Sequence, residues 1–318
     1  RNEGVKSNVL GKPMKEPQDV PFEKEGKYLK SDNRSNISYF LEHNVLLRRF
    51  TLSVGVLANY NSALNEGIHF YPGIDASYRI GDNFRLYGSW NRALRMPTFT
   101  DLYYEGKTNK GNPDLKPEES EAFEVGLKYN TYFLRAHIAG FYRKGKNMID
   151  WVKEKPEDIW ESQNLTKVDN LGFETNLSLL PRELGNERFF IRKIELGYAF
   201  IHQDKDSEGY ISNYALDYLK HKFTAQLSHS IWKGFSATWY VRWQDRAGSY
   251  TKYENLKPAY EEPYAPYCLV DMKVNWEYQR LNLYAELNNL LNSTYYDLGN
   301  IPQPGIWFKA GFRYSFKY

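Results

Sequence analysis

Hydrophobic and polar residues alternate with a period of two along most of the chain after residue 35. Phe50, Leu52, Val54, Val56, Ala58 and Tyr60 fall on one side of one such segment, and Thr51, Ser53, Gly55 and Asn59 on the other. Phe235, Ala237, Trp239, Val241 and Trp243 alternate in the same way with Ser236, Thr238, Tyr240, Arg242 and Gln244. The last segment sets Phe308, Ala310, Phe312, Tyr314, Phe316 and Tyr318 against Lys309, Gly311, Arg313, Ser315 and Lys317. Successive side chains of a strand point to opposite faces, so each segment reads as a strand with one apolar face. The pattern predicts strands over 36–45, 49–62, 67–80, 84–95, 119–130, 133–147, 165–180, 190–204, 217–231, 235–247, 267–277, 281–291 and 306–318, about thirteen in all. Most run to ten residues or more. Ordinary strands average about five or six residues, whereas a tilted strand crossing a bilayer takes about nine to eleven.

The connections alternate between short and long. Gly81-Asp82-Asn83, Asn130-Thr131-Tyr132, Trp232-Lys233-Gly234 and Tyr278-Gln279-Arg280 carry turn chemistry, with a somewhat longer member at 181–189. Between them lie long polar stretches at 96–118, 148–164, 205–216, 248–266 and 292–305. Tight turns at one end and long loops at the other are the asymmetry of an outer-membrane barrel. The faces agree. Arg or Lys at a lipid-facing strand midpoint costs about 2–4 kcal/mol, and the apolar faces carry essentially none. The opposite faces hold Arg85, Arg135, Arg143, Lys193, Glu195, Lys222, Arg242, Asp271, Lys273, Glu286 and Arg313, which describes a hydrated interior. The expected fold class is all-β, a transmembrane antiparallel β-barrel. A soluble propeller fits poorly, because no repeat recurs at about 40 to 50 residues.

Composition narrows the reading further. The 318 residues include 27 Tyr, 18 Phe and 8 Trp, yet mean hydropathy is −0.68. No run of about eighteen apolar residues exists to form a membrane helix, and so many aromatics argue against disorder. Net charge is +3 from 42 basic and 39 acidic residues, too balanced for a nucleic-acid partner. The single Cys268 excludes a disulfide framework and a cysteine-based zinc site. No cofactor is implied.

Residues 1–35 are charged and punctuated by Pro13, Pro17 and Pro21, with the character of an external loop. The chain starts with Arg rather than Met, and single-chain bacterial barrels use an even number of strands. The expectation is therefore a loop segment at 1–35 and, at 36–318, the C-terminal portion of a larger barrel.

Certain motifs interrupt the alternation. Arg92-Ala-Leu-Arg-Met-Pro-Thr-Phe-Thr-Asp-Leu-Tyr-Tyr104 precedes Gly111-Asn-Pro-Asp-Leu-Lys-Pro-Glu118 and Glu124-Val-Gly126. Asn164-Leu165, Asn170-Leu-Gly-Phe-Glu174, Glu286-Leu-Asn-Asn-Leu-Leu-Asn292, Tyr295-Tyr296 and Pro304-Gly305 follow. Pro97 and Pro113 remove backbone donors, so strand pairing must stop beside them. Glu118 and Glu124 put carboxylates near the start of the next inward face, with Arg92 and Arg95 as partners for them or for a plug. Glu174 and Arg242 join this lumen-facing set, and a solvated loop charge is the plainer alternative for each.

In order and spacing, these motifs resemble the barrel of TonB-dependent outer-membrane receptors. The resemblance implies a 22-stranded barrel occluded by an N-terminal plug. It implies import of a scarce small-molecule ligand, driven by TonB acting on an N-terminal box. Plug, box and the earlier strands are absent from this chain, and outer-membrane lipid surrounds the wall. A surface lipoprotein is an optional further partner. The alternating aromatics from Phe312 to Tyr318 resemble the terminal signal read by the barrel-assembly machinery, although such chains more often end in Phe or Trp. Haem receptors of the family usually carry a His between the two central motifs, and 96–112 has none. Thr100-Asp-Leu-Tyr-Tyr104 and Pro304-Gly-Ile-Trp-Phe308 look most like Bacteroidetes-type receptors for cobalamin or siderophores, cobalamin slightly ahead.

Loop aromatics are the candidate ligand contacts: Tyr103, Tyr104, Trp151, Trp160, Tyr210, Tyr214, Tyr250, Tyr253 and Tyr260. Flat amphipathic rings suit a corrin or a catecholate, and loop packing is the competing reading for each. Asp204, Asp206 and Glu208 offer the carboxylate oxygens a hard cation such as Ca²⁺ takes, and otherwise form a solvated acidic loop. A passive porin and an outer-membrane hydrolase are the alternatives from other classes. The hydrolase lacks any nucleophile motif, and the His residues fall mostly within strands.

Overall fold

The structure is a computed structural model that describes residues 1–318 apart from 24, 65–66, 156, 186–187, 207–208, 213–217, 255–256, 300 and 317–318, and apart from the side chains of 166, 206, 254, 257, 258 and 298. The chain opens with β1 (Asn2–Ser7), β2 (Lys12–Asp19), β3 (Lys27–Leu46), β4 (Phe50–Asn61), β5 (Ile68–Ile80) and β6 (Phe84–Arg95). A short helix α1 (Phe99–Tyr103) and β7 (Asn109–Lys110) occupy the next connection. Then come β8 (Glu118–Asn130), β9 (Leu134–Lys153), β10 (Trp160–Leu179), β11 (Ile191–Asp206), β12 (Ile211–Ser212), β13 (Leu219–Trp232) and β14 (Phe235–Arg246). The hairpin of β15 (Ser249–Glu254) and β16 (Lys257–Pro263) stands apart before β17 (Tyr267–Tyr278) and β18 (Leu281–Asn288). A small pair, β19 (Tyr296–Leu298) and β20 (Ile301–Pro302), precedes the last strand, β21 (Trp307–Tyr314).

Thirteen of these strands pair antiparallel, neighbour to neighbour, into one wall from β3 to β21, which matches the number expected from the alternation. Antiparallel pairing is the outcome that short turns permit, since a parallel neighbour would need a long crossover. Among the described residues β21 pairs on one side only, with β18, and residues 37–46 of β3 pair only with β4. No helix among the described residues is long and apolar enough to cross a membrane.

Register carries the two faces unbroken from strand to strand. Phe84 faces Tyr129, Tyr129 faces Ala136, Ala136 faces Leu177, and the line continues through Leu196, Ala225, Val241 and Val270. On the other face Arg85 meets Lys128, Lys128 meets His137, His137 meets Asn176, and the line continues through Gly197, Thr224, Arg242 and Leu269. The polar faces inferred from sequence thus share one side, the lumen. There Arg135, His137, Glu195, Arg242 and Asp271 line a cleft of about 620 Å³. On the same side the Tyr87 ring lies over Gly126, where a Cβ would come within 2.5 Å of it. Pro72 sits inside β5 without breaking the wall, because the ladder to β6 ends one residue away, at Gly73 and Asn91.

Two stretches differ from the sequence reading. Residues 148–164, expected to be a loop, are mostly strand. β9 and β10 are 20 residues each and stay paired out to Val152 and Glu161. At ~3.3 Å per residue such strands span about 66 Å, well beyond the ~30 Å hydrocarbon layer, so their outer ends stand in water. There both faces are wet, and the alternation that marks a lipid-crossing strand fades. Residues 1–35 likewise form β1, β2 and the first part of β3, with β1 and β2 each laid against β3. The expected strand 306–318 is observed from Trp307 to Tyr314, and Lys317 and Tyr318 lie outside the described residues.

Leu127, midway along the outward face of β8, separates effects on the two faces. Leu127→Arg is expected to destabilise the intact receptor by about 2–4 kcal/mol, while Gln226→Arg on the lumen side stays within about 0.5 kcal/mol. Denaturant unfolding in lipid vesicles measures both.

Candidate functional site

The long connections 62–67, 96–117, 154–159, 207–218, 247–266 and 289–306 all emerge at one end of the wall, and the tight turns at the other. Local chemistry shapes the first large loop. The Thr98 hydroxyl accepts from Asp101 N–H at 3.1 Å, and Asp101 Oδ2 accepts from Thr98 N–H at 2.9 Å, a reciprocal cap that starts α1. The chain then returns so closely that a Cβ on Gly111 would lie 2.8 Å from the Tyr103 nitrogen. Arg95 grips Glu118 with two hydrogen bonds, 2.6 and 2.5 Å, and Glu118 also accepts from Ile149 N–H at 2.8 Å. That fork closes the base of the loop and raises the Arg95 pKa, chiefly through the Glu118 hydrogen bond.

Residues that sequence reasoning missed hold this loop to the wall. Arg34 is buried. Its Nη1 donates to the Pro97 carbonyl at 2.6 Å, its Nε donates to Glu3 at 2.8 Å, and its guanidinium lies 5.0 Å from the Phe99 ring centre. Glu3 is held below the usual carboxylate range, first by this hydrogen bond. Two residues earlier on the same face of β3, Asp32 accepts from the Tyr103 hydroxyl at 2.5 Å. Burial, and then this bond, push Tyr103 up to about 12. Across the loop, Asn164 accepts from Lys116 N–H at 2.8 Å and donates to the carbonyls of Lys116 and Asn147. Only the Asn164-Leu165 motif signalled this staple.

The second loop group is aromatic. Tyr250 stacks on Tyr296 at 5.2 Å and tilts against Tyr264 at 5.1 Å, with Lys252 Nζ 5.7 Å from the Tyr296 ring centre. Lys252 pairs with Glu262 at 3.0 Å, a contact that raises the lysine pKa and lowers that of the glutamate. The Tyr267 hydroxyl donates to the Asp297 carboxylate and lies beside the Gln244 amide. Asn289 and Asn292 take positive φ values of 51° and 48°, a conformation that Asn tolerates well. Asn289 Nδ2 donates to the carbonyls of Ser293 and Pro304, and Asn292 Oδ1 accepts from Ile306 N–H. The Asn-rich motif and Pro304-Gly305 are thereby two halves of one fastening.

The candidate contacts divide accordingly. Trp151 and Tyr250 are 8% and 7% exposed and brace the loops instead of facing a ligand. Tyr103 is engaged by Asp32, Tyr104 meets Trp151 edge-on at 6.5 Å, and Trp160 lies beneath Lys153 at 4.5 Å. Tyr253 and Tyr260, at 52% and 53%, are open on the β15–β16 hairpin. Tyr210 is half-buried, and Tyr214 lies outside the described residues. By register Arg95, Glu118, Glu124, Glu174 and Arg242 share the lumen side, where Glu174 lies 3.8 Å from His137. Arg92 does not. It has the opposite parity, faces Glu121 across the ladder and reaches Glu119 at 3.7 Å on the outer side. Asp204 pairs with Lys167 at 3.0 Å, and the Asp206 side chain and Glu208 lie outside the described residues. Among the described residues no three His, Cys, Asp or Glu side chains are grouped to hold a metal.

Residues 13–290 match the family described as TonB dependent receptor-like, beta-barrel. The chain belongs to this family. Among curated relatives, the vitamin B12 transporter BtuB of Vibrio vulnificus is 26% identical over 225 residues, which cover 53% of this chain and 36% of the relative. The ferrienterobactin receptor of Escherichia coli is 22% identical over 297 residues, 84% of this chain and 38% of the relative. A ferric enterobactin receptor (PfeA) mutant from Pseudomonas aeruginosa, solved in complex with enterobactin, shares the fold with a TM-score of 0.73 at 19% identity, over 99% of this chain and 50% of that one. The chain therefore spans well under half the length of these curated relatives. The family places the wall in the outer membrane of Gram-negative bacteria, and these relatives are transporters and receptors, not enzymes.

The Arg34 anchor is testable. In Arg34→Ala the Pro97 carbonyl and Glu3 lose a buried partner at a cost of about 1–3 kcal/mol, and hydrogen exchange over 98–105 is expected to speed up accordingly. The Tyr103 contact has its own pH signature. Its folded pKa is raised, so its contribution is complete below the unfolded value near 10 and disappears as pH climbs through about 12. Tyr103→Phe removes that alkaline step.

Proposed function

We propose that this chain is the C-terminal part of the barrel of a receptor that binds a scarce, bulky ligand with its external loops and imports it with TonB energy. Residues 1–35 then belong to an external loop region, and the plug and remaining strands lie in the rest of the protein. The two wall edges that lack a partner among the described residues support this reading, because a sheet edge facing hydrocarbon leaves backbone groups unsatisfied. Kinship with a vitamin B12 transporter and a ferrienterobactin receptor supports the transport class.

The observation that carries the ligand reading is the charge of the loop face. The six connections at this end, taken with residues 1–35, hold nineteen acidic and fourteen basic residues. Such a surface lowers the local concentration of anionic ligands and leaves uncharged ones unaffected. Most ferric siderophores that present catecholate or carboxylate groups are anionic, whereas a corrin is large, flat and near neutral. Exposed Tyr253 and Tyr260, on a hairpin braced by Tyr250, Tyr264 and Tyr296, supply rings with little rotamer entropy to lose. Cobalamin is accordingly the favoured ligand, and a ferric siderophore the second.

The test is equilibrium binding of cyanocobalamin and of ferric enterobactin to the intact receptor, followed by uptake in cells. Cyanocobalamin should bind more tightly, Tyr253→Ala with Tyr260→Ala should weaken it about tenfold or more, and a protonophore should stop uptake but not binding. Tighter binding of ferric enterobactin would reverse the ligand order. Uptake that survives the protonophore would remove the TonB-coupled reading in favour of a passive pore.

A further inference from the structure

Strands β3 to β6 build a recess in the lumen wall beside the first large loop. By register Ser38, Phe40 and Glu42 of β3 face Asn59, Leu57 and Gly55 of β4, which in turn face His69, Tyr71 and Gly73 of β5. Gly73 faces Asn91 of β6, which has the parity of Arg85 and so lies on the lumen side. A cavity of about 660 Å³ opens among these residues, with Arg34 and Arg95 at its rim. Asn61 and Arg95 end their strands there, so the mouth is at the loop end of the wall. Two glycines keep the space open. A Cβ on Gly55 would lie 3.1 Å from the Phe40 ring, and one on Gly73 2.4 Å from Asn91 Oδ1, so both side chains lie flat against the wall.

The polar groups of the recess are unevenly satisfied. Asn59 is 5% exposed, and its Nδ2 donates to Asn36 Oδ1 at 2.9 Å and to Ser38 Oγ at 2.8 Å, which spends both of its N–H groups. Its Oδ1 is buried with no partner among the described residues, and so is Nε2 of His69 across the ladder. A buried acceptor left unpaired is costly, so the site calls for a donor. The rim cations cannot answer, because Arg34 is held by Glu3 and Pro97, and Arg95 by Glu118. Glu42 and Asp75 add two carboxylates to the lining, which disfavours an anionic occupant and leaves a neutral N–H donor unaffected.

We propose that this recess holds a primary carboxamide of the imported ligand, with Asn59 Oδ1 accepting from its N–H and the Asn91 amide donating to its carbonyl. The inference rests on the cobalamin reading and adds a contact on the wall to those on the loops. The rim of a corrin carries several uncharged primary amides, whereas ferric enterobactin presents chiefly anionic oxygens. A peptide segment of the plug would offer similar N–H groups, but the mouth at the loop end faces the side from which ligand arrives, and this favours the ligand.

The experiment measures equilibrium binding to the intact receptor of cyanocobalamin and of its monocarboxylic acids, each with one peripheral amide hydrolysed. Asn59→Leu is expected to weaken cyanocobalamin about tenfold. One of the acids should bind the unaltered receptor comparably weakly, and for that acid Asn59→Leu should make no further difference. Gly73→Ala, whose added Cβ pushes Asn91 into the recess, should also weaken cyanocobalamin while removing no polar group. Full affinity for cyanocobalamin in both variants overturns the assignment and leaves the cobalamin reading standing, and if unfolding stability falls at the same time the recess belongs to the plug. An equal effect of Asn59→Leu on every acid also overturns it. Absence of cyanocobalamin binding by the unaltered receptor removes the cobalamin reading and the recess assignment together.

Discussion

Inside a bilayer no water is present to satisfy a backbone N–H or C=O, and every feature of this wall follows from that constraint. Each strand must spend its hydrogen bonds on two neighbours, so the residues free to vary are the side chains, and these divide by parity into a lipid face and a lumen face. Full pairing explains why Pro72 is tolerated only where the β5–β6 ladder ends. It also explains why Pro97 and Pro113 lie where the chain has left the sheet. The lumen can then be as polar as the loops, because its charges face water and one another, as in the contact of His137 with Glu174 and the pair of Lys273 and Glu286 at 2.7 Å.

The loops obey a different economy. Outside the membrane they must be held by specific polar contacts, and the motifs that interrupt the alternation supply them. Arg95 with Glu118, Asn164 with Lys116, and Asn289 with Ser293 and Pro304 each join segments distant in sequence. Buried aromatics such as Trp151 and Tyr250 fill the space beneath. The motif residues therefore act as scaffolding, and Tyr253 and Tyr260 stay exposed outside these ties. Binding loops positioned by a rigid frame are the usual division of labour.

The elements were legible to different degrees. From Phe84 to Arg95, and from Phe235 to Arg246, the expected and observed strands agree within a residue, because both faces there have strongly different surroundings. The outer ends of β9 and β10 carry a loop-like sequence, because beyond the hydrocarbon neither face needs to be apolar. The side that Arg92 faces is hidden for the same reason: at the boundary a charge is acceptable on either face, and only the register to Glu121 decides. The burial of Trp151 and Tyr250 was invisible, since it depends on Tyr104, Tyr264 and Tyr296 arriving from other loops.

By itself the sequence determined the strand number, the lipid and lumen faces of the wall, the end that carries the loops, and membership in a family of receptors. These follow from local alternation and local turn chemistry, which depend on solvent contrast within a few residues. Tertiary structure alone decided which loop aromatics are buried, that Arg34 and Asp32 fasten the 97–105 loop to β3, and that Arg92 turns to the outer side. Such facts depend on groups up to 71 positions apart, whose meeting is set by ladder register and loop path, and no short-range pattern encodes either.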